Sequence, residues 1–453
     1  AACLVASVLF VIILEMARRS ASFVFPLIVG GVVAYAYFGD NIPGVFGHRG
    51  FGADYLTEVI FLSDRGLWGM LVSIASTTLA AFILFGALLL HTGAGQTFFD
   101  LSARAGGKSP GGAAKIATIA SGLFGSISGS SVANIATTGN FTIPLMKRLR
   151  YPSSFAGGVE AVASTGGQIA PPIMGTAAFV MAELVGVNYW TIAAVAVLPA
   201  FLFYLGVFTT IHLIAKRTGL GAVEQNELPD WRAALNWRRM SPIIAGVAGL
   251  AFGIMNGNSI QLTACYGMVG IIISYTIATL ASGGSMREVV LTLVRALDDG
   301  GNGVVIVGIL LVAAQVFVAI INLTGVGVAV TSSILALAEG NLIAIALIMA
   351  VVCLIAGMGL PTSAAYVLVA AVFAPVLIQQ GLEPITVHLF VLYYAVLSVI
   401  TPPVCVAVFV AATIAKTNWT GVASQSLRLG VTAYAIPMLM LIYPGLLLQG
   451  GAA

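Results

Sequence analysis

The chain is a succession of long apolar stretches separated by short polar ones. A helix needs about 20 apolar residues to cross a bilayer. Stretches of that kind run over 1–17, 20–38, 67–92, 112–149, 154–186, 189–215, 241–257, 261–281, 300–324, 342–380, 386–415 and 429–449. Two of them, 112–149 and 342–380, are about twice the crossing length. Each is interrupted near its middle by small polar residues, Gly125-Ser-Ile-Ser-Gly-Ser-Ser131 in one and Gly357-Met-Gly-Leu-Pro-Thr-Ser363 in the other. Such a stretch predicts either two crossings or a re-entrant hairpin, and both leave the chain on its starting side. The one long polar loop between spans, 216–240, reads as a solvated cytoplasmic linker.

Composition narrows the class. Only 8% of the 453 residues are charged and 59% are apolar, where a soluble domain carries roughly 25% charge. The mean hydropathy is +1.05. These values exclude a soluble globular protein, a disordered chain and a nucleic-acid binder. They also disfavour an outer-membrane barrel, whose alternating strands give a weaker signal. The expected fold class is an all-α polytopic membrane protein. The net charge of +3 is too small to identify a partner. Cys3, Cys265, Cys353 and Cys405 lie far apart in apolar runs, with neither metal-ligand spacing nor a disulfide framework, and read as buried apolar residues. The chain opens Ala-Ala-Cys inside an apolar run, without Met, which predicts a preceding segment.

Charge fixes the expected orientation. With Arg18 and Arg19 in the cytoplasm, alternation through the crossings puts 17 of the 19 basic residues on the cytoplasmic side, leaving Arg49 and Arg65 outside. The positive-inside rule selects that arrangement.

Prolines reveal an internal repeat. Pro144, Pro171 and Pro172 recur 231 residues later as Pro375, Pro402 and Pro403. The string Gln168-Ile-Ala-Pro-Pro-Ile-Met-Gly175 stands against Val399-Ile-Thr-Pro-Pro-Val-Cys-Val406. Each is followed by an apolar helix that runs to an Asn and a Trp, at Asn188-Tyr-Trp190 and Asn418-Trp419. Five expected crossings separate the two double-length stretches, an odd number, so the second unit should be inverted relative to the first. Inverted repeats with interrupted helices are the signature of secondary transporters, whose sites lie where the interruptions meet.

The interruptions suggest a chemistry. Proline removes a backbone hydrogen bond and clashes with the preceding turn. Unpartnered carbonyls at membrane depth are tolerated only where they are buried in protein or line a wet cavity. Carbonyls and Ser/Thr hydroxyls together form a cage of hard oxygens that suits Na⁺. The N-terminus of each second hairpin arm favours an anion. The first candidate site therefore draws on Ser128, Gly129, Ser130, Ser131 and Asn134, with Gln168, Ala170 and Pro171. The second draws on Gly357, Gly359, Thr362 and Ser363, with Ser398, Thr401 and Pro402. Gly and Ser also serve close helix packing in membranes. It is the pairing of the two tips by symmetry that favours a site.

Membrane-embedded carboxylates are rare and functional by default. Glu160, eight residues before Gln168, is a candidate proton carrier. Glu183 reads as interfacial and Glu15 as a partner of Arg18 and Arg19. The four histidines show no ligand spacing. The chain contains neither a phosphate-binding Gly-Lys-Ser/Thr loop nor a His-Glu-x-x-His motif, so no primary pump and no enzyme is read here. No cofactor is expected beyond a coupling Na⁺ or H⁺.

Several strings resemble a known family. Gly125-Ser-Ile-Ser-Gly-Ser-Ser-Val-Ala-Asn-Ile-Ala-Thr-Thr-Gly139, Phe141-Thr-Ile-Pro-Leu-Met-Lys-Arg148, Phe155-Ala-Gly-Gly-Val-Glu-Ala-Val-Ala-Ser-Thr-Gly-Gly167 and Gly357-Met-Gly-Leu-Pro-Thr-Ser-Ala-Ala-Tyr366 resemble the large membrane component of TRAP (tripartite ATP-independent periplasmic) transporters. Asn134 and the string around Glu160 resemble its TAXI subgroup. Leu14-Glu-Met-Ala-Arg-Arg19 and His48-Arg-Gly-Phe51 resemble the end of a small membrane component fused ahead of the large one, whose first two helices are not in this chain.

The resemblance implies an elevator-type importer in the bacterial inner membrane. It would be a monomeric membrane unit among lipids, taking a small carboxylate solute from a soluble extracytoplasmic binding protein. It also implies Na⁺ sites at the hairpin tips and broken helices, with H⁺ as the TAXI alternative. The implied domains are fused small-subunit scaffold (1–65), scaffold and arm helices (66–111), first transport repeat (112–186), scaffold (187–341), second transport repeat (342–416) and C-terminal helix (417–453). A stand-alone cation/carboxylate symporter is the close alternative; a channel or membrane enzyme is the distant one.

Overall fold

The computed structural model describes residues 2–21 and 23–448. Residue 1 of the first expected span, residue 22 of the second and residues 449–453 at the C-terminal end lie outside them. Helices dominate, and no strand occurs among the described residues. Among the described residues, four helices, Met70–Gly106, Tyr189–Thr218, Ile260–Ala281 and Met286–Thr324, are long and apolar enough to cross a bilayer. A bent pair, Val406–Ala415 and Trp419–Leu429, would make a fifth. The protein is a polytopic helical membrane protein.

Several expected stretches change extent. The stretch 67–92 continues to Gly106 through a π-helical turn at Leu90–Ala94, where Gly93 adopts φ +111°. The stretch 300–324 is the second part of Met286–Thr324, whose first turns carry Arg287, Arg295, Asp298 and Asp299. Those charges are why the apolar pattern began late. The stretches 20–38 and 429–449 shorten to Val24–Tyr37 and Val431–Ile442. At 1.5 Å per residue these helices reach only about 20 Å. A further apolar helix, Val326–Leu337, falls below crossing length and went unread. The count of five crossings between the double-length stretches omits it.

Two polar expectations also shift. The loop 216–240 is largely exposed, as a solvated linker would be, but it is also tied down. Gly111 N–H donates to the Leu220 carbonyl (3.0 Å) and Val223 N–H to the Gly107 carbonyl (2.9 Å), sewing the loop to the entrance of 112–128. Cys3 is half-buried and Cys265 exposed, whereas Cys353 and Cys405 are buried as expected. Glu15 does bond Arg18 and Arg19, at 2.7 and 2.8 Å.

The double-length stretches are helical hairpins, Gly112–Ser128 with Ser131–Arg148 and Leu342–Gly357 with Thr362–Ile378. Pro-Pro breaks split the helices that follow, Ser153–Gly166 from Thr176–Val185 and Pro384–Ser398 from Val406–Ala415. Both Pro-Pro bonds are cis. The offset of 231 reaches the element boundaries: Ser131 falls on Thr362 and Ser153 on Pro384. Even the caps agree. Asn188 and Asn418 each accept a bond from the backbone N–H two residues on, satisfying an orphan donor of the next helix.

Packing repeats in an exchanged pattern. Each hairpin packs on the first half of its own broken helix. The second half of the first broken helix packs on Thr362–Ile378 and Pro384–Ser398, and that of the second packs on Ser131–Arg148 and Ser153–Gly166.

Candidate functional site

At the first tip, Gly129 ends its helix in the left-handed conformation at φ +64°, with its N–H on the Gly125 carbonyl. Glycine adopts that region without a Cβ penalty. Ser130 caps the next helix by accepting from Ala133 N–H (3.3 Å). Ser131 is buried, and the Ser128 Oγ is buried without a hydrogen-bond partner. Such an orphaned hydroxyl costs free energy unless a ligand or water meets it.

The break in the first broken helix closes on this tip. Met174 N–H donates to the Ser126 carbonyl (3.1 Å) and Gly175 N–H to the Gln168 carbonyl (2.8 Å). Met174 is itself left-handed, at φ +62°. Conformations of this kind persist only where the surroundings over-determine them. Ala170 is extended before Pro171, as the residue before proline prefers. The carbonyls of the break are not all free, contrary to expectation. Tyr189 OH donates to the Pro172 carbonyl (2.9 Å) and contacts that of Ile173. Gly125 and Gly167 let the hairpin and the break approach closely. A Cβ on Gly125 would lie 2.7 Å from the Gly167 Cα.

At the second tip, Gly359 turns the chain at φ +73° and Pro361 precedes Thr362, the first residue of the next arm. Thr362, Ser363 and Ser398 are buried. Gly357 lies against Ser398, whose hydroxyl donates to the Ala395 carbonyl (2.7 Å). Thr401 beside Pro402 donates to the Leu397 carbonyl (2.8 Å) and meets Tyr434 OH at 2.8 Å.

One side chain joins the tips. Gln168 Nε2 donates to the Gly129 carbonyl (3.2 Å), and its Oε1 accepts from the Thr362 hydroxyl (3.0 Å). The two candidate sites are therefore neighbours.

Asn134 turns away from its tip, into a cluster around Glu160. Its Nδ2 donates to the Ser121 carbonyl (2.8 Å), and its Oδ1 accepts from Thr138 (3.2 Å). Glu160 is fully buried. It accepts from Ser121 (2.7 Å), Thr142 (2.6 Å), Ser164 (3.2 Å) and Thr138. Each of these four donors is a hydroxyl. Thr138 and Thr142 also reach carbonyls four residues back, of Asn134 and Thr138. They can thus turn between carboxylate and helix. Sequence reading missed these four residues, although Thr138/Thr142 and Glu160/Ser164 sit at helical i, i+4 spacing.

A cavity of about 580 Å³ opens beside the first tip, lined by Ser128 and Gly129 on one wall and by His91, Gln96 and Asp299 on another. His91 Nε2 lies 2.6 Å from Asp299. Of the other three histidines, His48 accepts from Gly50 N–H (3.2 Å), His212 meets buried Lys115 (2.9 Å) and His388 meets Tyr366 OH (2.7 Å). Glu183 is exposed.

Two hairpins, two broken helices and a polar centre inside an apolar shell define a membrane permease. The chain belongs to the family described as "Tripartite ATP-independent periplasmic transporter, DctM component", which it matches over residues 8–451. It is 26% identical over 367 residues to the C4-dicarboxylate TRAP transporter large permease protein DctM of Pseudomonas aeruginosa, covering 80% of each chain. It is 25% identical to the isethionate TRAP transporter permease protein DctMQ of Oleidesulfovibrio alaskensis, covering 80% of this chain and 55% of that protein. It is 22% identical to the 2,3-diketo-L-gulonate TRAP transporter large permease protein YiaN of Escherichia coli, covering 81% and 84%. In fold it is similar to the YdaH transporter of Alcanivorax borkumensis (TM-score 0.57, 16% identity, covering 97% and 98%).

Proposed function

We propose that this permease is the membrane unit of an ion-gradient-driven importer, in the bacterial inner membrane, for a small carboxylate solute handed over by an extracytoplasmic binding protein. Asn134 and the Glu160 string support membership of the TAXI subgroup, and the strings at 14–19 and 48–51 support reading residues 1–65 as the end of a fused small component. The hairpins and broken helices form inverted repeats that move together as an elevator against the remaining helices.

The observation that supports this reading most is convergence: two hairpin tips and one Pro-Pro break, spread over more than 200 residues of sequence, meet at Gln168. Ser128, Ser130, Ser131 and Gly129 offer oxygens to Na⁺ at the first tip, and Thr362, Ser363, Ser398 and Thr401 at the second. The unpartnered Ser128 Oγ fits such a role. Glu160 is the candidate proton carrier. Protonation would remove the buried charge, and Thr138 and Thr142 would return their hydroxyls to the carbonyls behind them.

The test is uptake into proteoliposomes under imposed Na⁺ or H⁺ gradients, with and without the cognate binding protein, over a panel of carboxylates. Accumulation that needs both a gradient and the binding protein is expected. Accumulation without the binding protein would favour a stand-alone symporter.

A further inference from the structure

The bridge at Gln168 is made once in a molecule whose architecture is otherwise repeated. Its counterpart 231 residues on is Val399, which has no polar side chain. The orientation of the Gln168 amide is fixed by chemistry. The Gly129 carbonyl only accepts, so it must face Nε2, which leaves Oε1 for the Thr362 hydroxyl. Gln168 is 5% exposed, so loss of either partner strands a buried polar atom. Its backbone is pinned as well, because its carbonyl accepts from Gly175 N–H, and Gly175 packs on the Gly129 carbonyl. Gln168 therefore touches the C-terminal cap of one hairpin arm and the N-terminal residue of another.

We propose that Gln168 is a positioning residue that couples the two hairpin tips, so that opening one loosens the other. This rests on the reading of the tips as the two half-sites of the permease. By reciprocity the coupling must run both ways: a change at Thr362 must be felt at Gly129, although they belong to different repeats.

The test is hydrogen–deuterium exchange of the full chain in nanodiscs, read on peptides spanning 126–133 and 358–366. Thr362→Val keeps size and removes the hydroxyl; Thr362→Ser keeps the hydroxyl; Gln168→Leu removes both arms. Thr362→Val is expected to speed exchange at the first tip by about fivefold or more, the low end of ordinary coupling energies. Thr362→Ser should match the wild type. Adding Thr362→Val to Gln168→Leu should change little more at the first tip, since both cut the same link. Should Gln168→Leu not fold, the single hydroxyl change carries the test. Faster exchange confined to 358–366 in Thr362→Val would overturn the proposal. Repeating the series in NaCl against choline chloride separates the two claims. Cross-tip exchange with no Na⁺ protection would support the coupling while counting against Na⁺ at the tips.

Discussion

The first and second repeats share backbone and differ in what they bury. Displaced by 231, Glu160 becomes Val391, Ser121 becomes Val352, Thr138 becomes Val369, Thr142 becomes Phe373 and Ser164 becomes Ala395. The second repeat makes the same hairpin, the same break and the same packing with an apolar filling at these places, and Val369, Val391 and Ala395 are fully buried. The polar cluster is thus not what shapes the hairpin. A buried carboxylate carries an effective desolvation penalty of several kcal/mol, and one repeat carries it where the other shows it can be dispensed with. That asymmetry is what supports the proposal that Glu160 serves ion coupling rather than folding.

The sharpest way to break this comparison is to make the first repeat resemble the second. Glu160→Leu with Ser121→Val and Thr138→Val should abolish gradient-driven uptake. Thermal stability in detergent should be unchanged or raised, since replacing buried ionic groups by hydrophobes is often neutral or stabilising by about 1–4 kcal/mol. Retained uptake in a stable triple variant would remove the cluster from the coupling mechanism.

A packing change comes next. Gly125 has Ala356 as its counterpart, but in the first repeat it faces the Gly167 backbone. Gly125→Ala should destabilise by about 1–3 kcal/mol through overpacking, read as a lowered unfolding temperature, and Gly167→Ala should do the same.

In the second repeat, Thr401→Ala with Pro402→Ala should weaken cation dependence more than folding. Half-saturating cation would rise severalfold while the unfolding temperature moves by only a few degrees, since a lost neutral hydrogen bond is worth about 1 kcal/mol. The smallest effect is expected from Tyr434→Phe. It removes the hydroxyl that meets Thr401 and leaves the Thr401 bond to the Leu397 carbonyl in place. A stability loss below about 1 kcal/mol with near-normal uptake would show that Tyr434 only supports Thr401.

Much of this was legible in the chain. Three prolines gave the repeat, and the Gly-Ser and Gly-Pro-Thr interruptions gave both tips, because such residues act on their own backbone. What joins distant elements was not legible. Gln168 could be named from the break, but not its bond to Thr362, which lies 194 residues away. The Glu160 hydroxyls come from three helices, and only their i, i+4 spacing hinted at a shared face. Tyr189 and Tyr434 looked like ordinary apolar-span residues. Helix Val326–Leu337 was lost to a length threshold, and Met286–Thr324 was cut short by its own charges.

The most direct measurement compares two kinds of solute movement in proteoliposomes bearing wild type or Glu160→Gln, with the binding protein present. One is net accumulation under an imposed Na⁺ or H⁺ gradient; the other is solute-for-solute exchange with no gradient. If Glu160 couples ion to solute, the variant keeps exchange and loses accumulation at least about tenfold, the equivalent of 1.4 kcal/mol. Accumulation equal to the wild type would contradict the account.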